Sequence, residues 1–259
     1  MKVVIFAGGM GSRLGEEAYL IPKPMVNIGD RPILWHIMSI YAHQGYRDFV
    51  ICLGHRADVI KRYFRDLYIL NNDYTVEYSQ PESLVCHTDC VHEKDWRVTL
   101  VDTGLDSLKG ARLKRVEPFI DDTFFLTYGD GVADIDIEDL LRFHRQHGKL
   151  TTITGVHPPS RFGEIICEGN KVLSFSEKPQ ASEGMINGGF MVIERAVLDR
   201  LTREPDCDFE IGTLEKLASE GEVMVYRHTG QWECMDTPRD RDHLNMLWRQ
   251  GNAFWKIWD

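Results

Sequence analysis

Positive charge is in short supply in this chain: 30 Lys and Arg stand against 40 Asp and Glu, a formal net charge of −10. A mean field of that sign repels nucleic-acid phosphates, so no nucleic-acid partner is expected. A small anionic substrate held by a local cation cluster remains open. Long apolar runs are missing too. None reaches the 18 residues that a membrane-spanning helix needs, and no membrane partner is expected. The opening run Lys2-Val3-Val4-Ile5-Phe6-Ala7 is too short for a secretory core and leads straight into Gly8-Gly9, which makes the cytoplasm the expected compartment. The six cysteines, Cys52, Cys86, Cys90, Cys167, Cys207 and Cys234, are scattered and read as reduced thiols, mostly core filler. Their one local group, Cys86-His87-Thr88-Asp89-Cys90-Val91-His92, offers Cys86, Cys90 and His92 as candidate zinc ligands. A second knuckle at zinc spacing is absent, and a polar loop is the preferred reading. There is also no Ser/His/Asp or Cys/His arrangement for a nucleophilic enzyme, no Pro/Ser-rich linker and no internal repeat.

What is present is strand–helix alternation over a chain of 259 residues, long enough to bury one α/β core. Residues 2–7 read as a strand, Ile33 to Tyr41 as a helix opened by Pro32, and Asp48 to Leu53 as a buried strand. Ala57 to Leu70 is helical, with Val59, Ile60, Tyr63, Phe64 and Leu67 on one face. Short strands are expected at 75–78 and 98–101, and a further strand at 124–128 that ends on Gly129-Asp130-Gly131. A helix at 137–147 and a strand at 151–156 follow. The second half predicts a hairpin over 163–175, a strand at 188–193, helical stretches at 196–201 and 213–219, a strand at 223–227 and a helix from Pro238 to Trp248. Such alternation predicts a mixed, mostly parallel central sheet covered on both faces, with ligands at the carboxyl ends of its strands. Gly8-Gly9 and Gly129-Asp130 both fall at such ends.

The strongest local signal is Phe6-Ala7-Gly8-Gly9-Met10-Gly11-Ser12-Arg13-Leu14, directly after a strand. Glycines let backbone N–H groups approach a phosphate without a Cβ in the way. The Gly-Lys-Ser/Thr of a Walker loop is absent, and Leu14 stands where a dinucleotide fingerprint needs glycine. Arg13 lies within the loop, and Lys23 is fixed between Pro22 and Pro24. Two cations beside a glycine loop suit a triphosphate. Asp130, flanked by glycines at the end of an apolar strand, is a candidate magnesium ligand on its own merits. Asp236, by contrast, is one acidic residue among many.

The run G-G-x-G-S-R-L followed by Pro22-Lys23-Pro24-Met25 resembles the signature of the sugar-1-phosphate nucleotidyltransferases, and within them the branch that uses CTP and glucose 1-phosphate. Supporting stretches run in family order across nearly the whole chain. They include Pro32-Ile33-Leu34-Trp35-His36, Arg112-Leu113-Lys114-Arg115, Tyr128-Gly129-Asp130-Gly131, Glu177-Lys178-Pro179, Asn187-Gly188-Gly189 and Trp232-Glu233-Cys234-Met235-Asp236. The resemblance implies a three-layer Rossmann-like α/β fold forming one domain over 1–259. Residues 1–135 would mainly bind nucleotide, and residues 136–259 would mainly bind sugar phosphate and supply oligomer contacts. It implies Arg13, Lys23 and Asp130 as catalytic residues, and Mg²⁺ held by Asp130 and Asp236. Nucleotide contacts fall to Phe6, Ala7, Gly8, Gly9, Met10, Gly11, Ser12, Arg13, Lys23, Ser107, Arg112 and Gly129. Sugar-phosphate contacts fall to Gly163, Glu177, Lys178, Asn187 and Gly188. Arg112, a pure donor, would satisfy the ring acceptors of cytosine; read without the resemblance, it belongs to a solvated basic face with Lys109, Lys114 and Arg115. A homo-oligomer is implied, a hexamer being one such state.

Several stretches depart from the family pattern. Gly110-Ala111 stands where Gly-Gly is usual, 208–213 lacks the expected Glu-Pro-Leu-like segment, and 80–96 matches poorly. They leave open another sugar 1-phosphate, or UTP or dTTP in place of CTP. Two rivals differ in class. A nicotinamide-dependent oxidoreductase leaves Arg13 and Lys23 without a role, and a non-catalytic nucleotide-sugar sensor has no need of Lys23 and both carboxylates.

Overall fold

Alternating β-branched residues build the centre of the molecule. The computed structural model describes residues 1–11, 20–79, 84–89, 93, 95–158, 164–168, 171–176 and 184–258. Its sheet has seven strands: β1 (Lys2–Phe6), β2 (Asp48–Leu53), β3 (Arg97–Asp102), β4 (Phe124–Tyr128), β5 (Thr151–Val156), β6 (Ile186–Ile193) and β7 (Val223–Arg227), in the spatial order β7-β5-β6-β4-β1-β2-β3. Strand β1 pairs parallel with β2 and β4, β2 with β3, and β5 with β7; β6 runs antiparallel to β4 and β5. The sheet is therefore mixed and mostly parallel, as expected. Period-two alternation divides each buried strand between two cores. Val3, Ile5, Phe49 and Ile51 point into one, while Val4, Phe6, Val50 and Cys52 point into the other.

Helices α1 (Ile33–His43), α2 (Ala57–Leu70), α3 (Lys109–Arg115), α4 (Ile137–His147), α5 (Glu215–Ser219) and α6 (Pro238–Arg249) complete the layers. Helix α1 is apolar nearly all round because the carboxyl-terminal segment covers its outer side: Trp255 is fully buried, and Trp248, Phe254 and Trp258 pack on the same core. His36 of α1 sits within this aromatic cover, its Nε2 2.9 Å from the Ile28 carbonyl. Helices α2 and α4 span the residues that their periodicity predicts.

Elsewhere the outcome differs from expectation. The strand expected at 75–78 is Tyr74–Val76, paired with Leu84–Cys86. The stretch at Arg195–Arg200 is a 3-10 helix. The helix expected from Thr213 starts at Glu215, because Phe209–Leu214 forms a wide, kinked turn with Ile211 outside helical geometry and Gly212 at φ +94°. The hairpin's strands are Glu164–Glu168 and Lys171–Ser176, and its turn at 169–170 lies outside the described residues. Among the described residues, no helix is long and apolar enough to cross a membrane.

Topology fixes where a ligand binds. From β1 the chain passes through α1 to β2 on one side, whereas β4 lies on the other side of β1. The carboxyl ends of β1 and β4 thus flank a switch-point crevice.

Candidate active site

At that crevice lies a cavity of about 370 Å³, lined by Phe6 to Gly9 and Gly11 from the end of β1, Tyr128 to Asp130 from the end of β4, Lys23 and Pro24, and Ser107, Leu108, Lys109 and Arg112 at the start of α3. A side chain at Gly129 would place its Cβ 2.8 Å from the Phe6 carbonyl oxygen and 3.0 Å from Pro24. Only glycine lets these strand ends approach so closely. Gly11 has φ +63°, and Gly9 faces open space.

Lys23 opens a single 3-10 turn, Lys23–Met25, and its side chain is only 10% exposed. Its Nζ donates to Asp130 Oδ2 at 2.6 Å and also to Asp236 Oδ1. A distant ribbon brings the second carboxylate in. Gly131–Ala133 pairs antiparallel with Trp232–Cys234, and Met235 N donates to the Asp130 carbonyl at 2.8 Å. Asp240, in the capping box of α6, then accepts from Asp236 N at 3.0 Å and Thr237 N at 2.8 Å, which fixes the backbone that carries Asp236. Burial pulls the Lys23 pKa down, but attraction and hydrogen bonds from Asp130 and Asp236 outweigh it, and the net shift is upward. The ammonium stays charged. Burial and the same two carboxylates push the Cys234 thiol up to about 12, so it is not a nucleophile at neutral pH.

Arg112 is buried behind the loop. Its Nη1 donates to the carbonyls of Leu53 (3.0 Å) and Gly104 (2.7 Å) and to Thr103 Oγ1 (2.9 Å). Its Nη2 donates to the carbonyls of Gly8 (3.0 Å) and Leu105 (3.1 Å). The guanidinium occupies the space that a Cβ on Gly8 or Gly54 would fill. One side chain thereby ties together the ends of β1, β2 and β3, and it lines the cavity. The solvated basic face expected from sequence alone does not form. Arg115 donates to the Thr103 and Arg203 carbonyls and to Ser107 Oγ, and Lys114 donates to the Leu198 carbonyl.

On the other side of the crevice, Asn187 Oδ1 accepts from Gly189 N at 2.9 Å, and its Nδ2 donates to the Tyr128 hydroxyl at 3.3 Å. The Gly188 carbonyl accepts from Trp232 Nε1 at 2.7 Å. Of the expected site residues, Phe6, Ala7, Gly8, Gly9, Gly11, Lys23, Ser107, Arg112, Gly129 and Asp130 line one cavity, and Asp236 joins them through Lys23. Met10, beside the loop, is exposed. Ser12, Arg13, Gly163, Glu177 and Lys178 lie outside the described residues, as do Cys90 and His92 of the candidate zinc group. Among the described residues, no set of three or more His, Cys, Asp or Glu side chains is arranged around a metal position. Sequence reasoning missed Lys109 and Tyr128, which line the cavity, and Glu210, which joins them: Lys109 Nζ lies 2.5 Å from Glu210 Oε1, to which the Tyr128 hydroxyl also donates at 2.5 Å. Tyr128 precedes Gly129-Asp130 directly, and that adjacency was the only available signal.

A mixed, mostly parallel sheet with a switch-point cavity, a glycine loop, an inward lysine and two converging carboxylates is the framework of an α/β enzyme site. Residues 2–243 match the family described as nucleotidyl transferase, and the chain belongs to that family. Along their whole lengths, the chain and the glucose-1-phosphate cytidylyltransferases of Salmonella typhi and Salmonella typhimurium are 46% identical. The crystal structure of HddC from Yersinia pseudotuberculosis shares the fold, with a TM-score of 0.67 at 21% identity over 95% of this chain and 99% of that one.

Proposed function

We propose that this protein transfers the cytidylyl group of CTP to α-D-glucose 1-phosphate, giving CDP-glucose and pyrophosphate. The observation that carries this reading is the 46% identity, over both full lengths, with glucose-1-phosphate cytidylyltransferases. The cavity supplies the chemistry that this reaction needs. A sugar 1-phosphate dianion is already a nucleophile, so its oxygen attacks the α-phosphorus in line, the bond to the β-phosphate oxygen breaks, and no general base is required. In this reading the backbone N–H groups of Gly8, Gly9 and Gly11, which line the cavity with Lys23, receive phosphate oxygens, and Lys23 and Arg13 neutralise them. Sugar phosphate falls to Gly163, Glu177, Lys178, Asn187 and Gly188.

Asp130 and Asp236 converge on one ammonium, so two carboxylate oxygens already point at a single position. That pair suits Mg²⁺, which takes one or two carboxylates and completes its octahedron with water and phosphate oxygens. When bound there, the ion would neutralise charge on the triphosphate. Arg112 is assigned the cytosine acceptors because it lines the cavity beside Gly8 and Ser107 and offers only donors. Contact with the base would exchange a carbonyl partner, Gly104 or Leu105, for the ring. A homo-oligomer fits the large apolar side chains exposed at the end of α2 and on the following hairpin, among them Leu70, Tyr74, Tyr78 and Val85; a monomer in light scattering would overturn that part.

The test is pyrophosphate release from glucose 1-phosphate and Mg²⁺ with CTP, UTP, dTTP, GTP and ATP in separate reactions. Release with CTP is expected. No release with any triphosphate sinks the reading, and faster release with UTP or dTTP overturns the role of Arg112.

A further inference from the structure

We propose that Glu210 is a positioning residue for the sugar 1-phosphate, acting through the Tyr128 hydroxyl on the amide of Asn187. This rests on the sugar-phosphate role assigned to Asn187 above. Glu210 does not line the cavity, but both groups that it binds do: Lys109, at the start of the helix that carries Arg112, and Tyr128, at the end of β4. Lys109 Nζ also lies 5.1 Å from the centre of the Tyr128 ring. One carboxylate therefore joins the nucleotide side of the crevice to the sugar side.

Hydrogen-bond polarity makes this link directional. Gly189 N–H donates to Asn187 Oδ1, so the amide nitrogen faces Tyr128. The Tyr128 hydroxyl lies 2.5 Å from Glu210 Oε1, and a phenol carries one hydrogen to donate. Its single hydrogen goes to Glu210 Oε1, leaving only lone pairs for Asn187. The amide is thereby fixed with one N–H on Tyr128 and the other, which has no partner among the described residues, left for a sugar or phosphate oxygen. Without Glu210 the hydroxyl can rotate and donate to Asn187. An amide turned to accept that hydrogen would offer the sugar a carbonyl in place of a donor.

The setting is costly in ways that packing alone does not require. Glu210 Oε2 is buried without a hydrogen-bond partner among the described residues. Its backbone is held in the kinked turn Phe209–Leu214 by Asp208, whose Oδ1 accepts from Glu210 N at 2.8 Å and Ile211 N at 3.0 Å. A helix continued through this turn would aim the side chain elsewhere.

The experiment is steady-state kinetics on the full chain with CTP and glucose 1-phosphate, alongside calorimetric CTP binding and thermal melting. Tyr128→Phe, which keeps the ring, and Glu210→Ala should each raise KM for glucose 1-phosphate about tenfold, with kcat within about threefold and Kd for CTP unchanged. Glu210→Gln, which can still accept from Tyr128, should fall between wild type and Glu210→Ala. Because the residues act in series, the double variant should be no worse than the poorer single one. An unchanged KM in Tyr128→Phe overturns the inference. So does a double variant whose defects multiply, or a parallel loss of CTP binding and melting temperature. If the wild-type chain itself releases no pyrophosphate, the function proposed above fails and takes this inference with it. An active wild type with unaffected variants overturns this inference alone.

Discussion

The Lys23 ammonium lies 2.6 Å from the Asp130 carboxylate and simultaneously accompanies Asp236, so one buried cation is counter-ion to both. A divalent ion bound by the same oxygens must displace it. A bound triphosphate would offer Lys23 other anionic partners and so favour such an exchange.

Lys23→Met is expected to bind Mn²⁺ more tightly than wild type when nucleotide is absent, read by electron paramagnetic resonance. The same variant should lose stability, on the order of 3–5 kcal/mol, because Asp130 and Asp236 lose the buried cation that they share, and added Mg²⁺ should restore part of the loss. Equal or weaker Mn²⁺ binding would show that lysine and metal do not share a position.

Asp130→Asn keeps the shape of the side chain and a hydrogen-bonding oxygen for Lys23. Turnover should fall on the order of 10²-fold or more, with the melting temperature changed by only a few degrees. Retained activity would remove Asp130 from the metal site.

Two glycines of the crevice provide an internal comparison. A Cβ at Gly129 meets the Phe6 carbonyl at 2.8 Å, whereas one at Gly9 meets nothing within 4 Å. Gly129→Ala should lose roughly 1–3 kcal/mol in urea unfolding, as overpacked sites do, and Gly9→Ala should lose far less. Equal losses would contradict the close approach of β1 and β4.

Burial holds the His36 pKa down at about 4 from its ordinary 6.5, although the Ile28 carbonyl opposes the shift. The unfolded chain therefore binds a proton between those values that the folded chain refuses. Stability from this group is complete above pH 6.5 and is lost as pH falls through about 4, a total of about 3 kcal/mol. An NMR titration of the ring should show it neutral at pH 5, and a midpoint near 6.5 would refute the buried assignment.

Much of this architecture is legible in the residues. Helix α2 and strand β2 follow their hydrophobic periods, and Gly8 and Gly129 mark strand ends whose meeting follows from the topology. What could not be read depends on chain segments that meet far from one another in sequence. Asp236 reaches Lys23 only through the register of Trp232–Cys234 against Gly131–Ala133, and no local pattern announces that pairing. Glu210 was hidden for a second reason: Gly212 adopts a left-handed conformation that breaks the helix expected beyond it and turns the chain toward Tyr128. Arg112 looked like one of several surface cations because its partners are mostly backbone carbonyls, which leave no mark in composition.

The most direct measurement is a competition. Glucose 1-phosphate and Mg²⁺ are incubated with the protein and equal concentrations of CTP, UTP and dTTP, and the nucleotide sugars are separated and identified by mass spectrometry. CDP-glucose should be the predominant product, matched one to one by pyrophosphate. A mixture dominated by UDP-glucose or dTDP-glucose, or no nucleotide sugar at all, would contradict cytidylyl transfer.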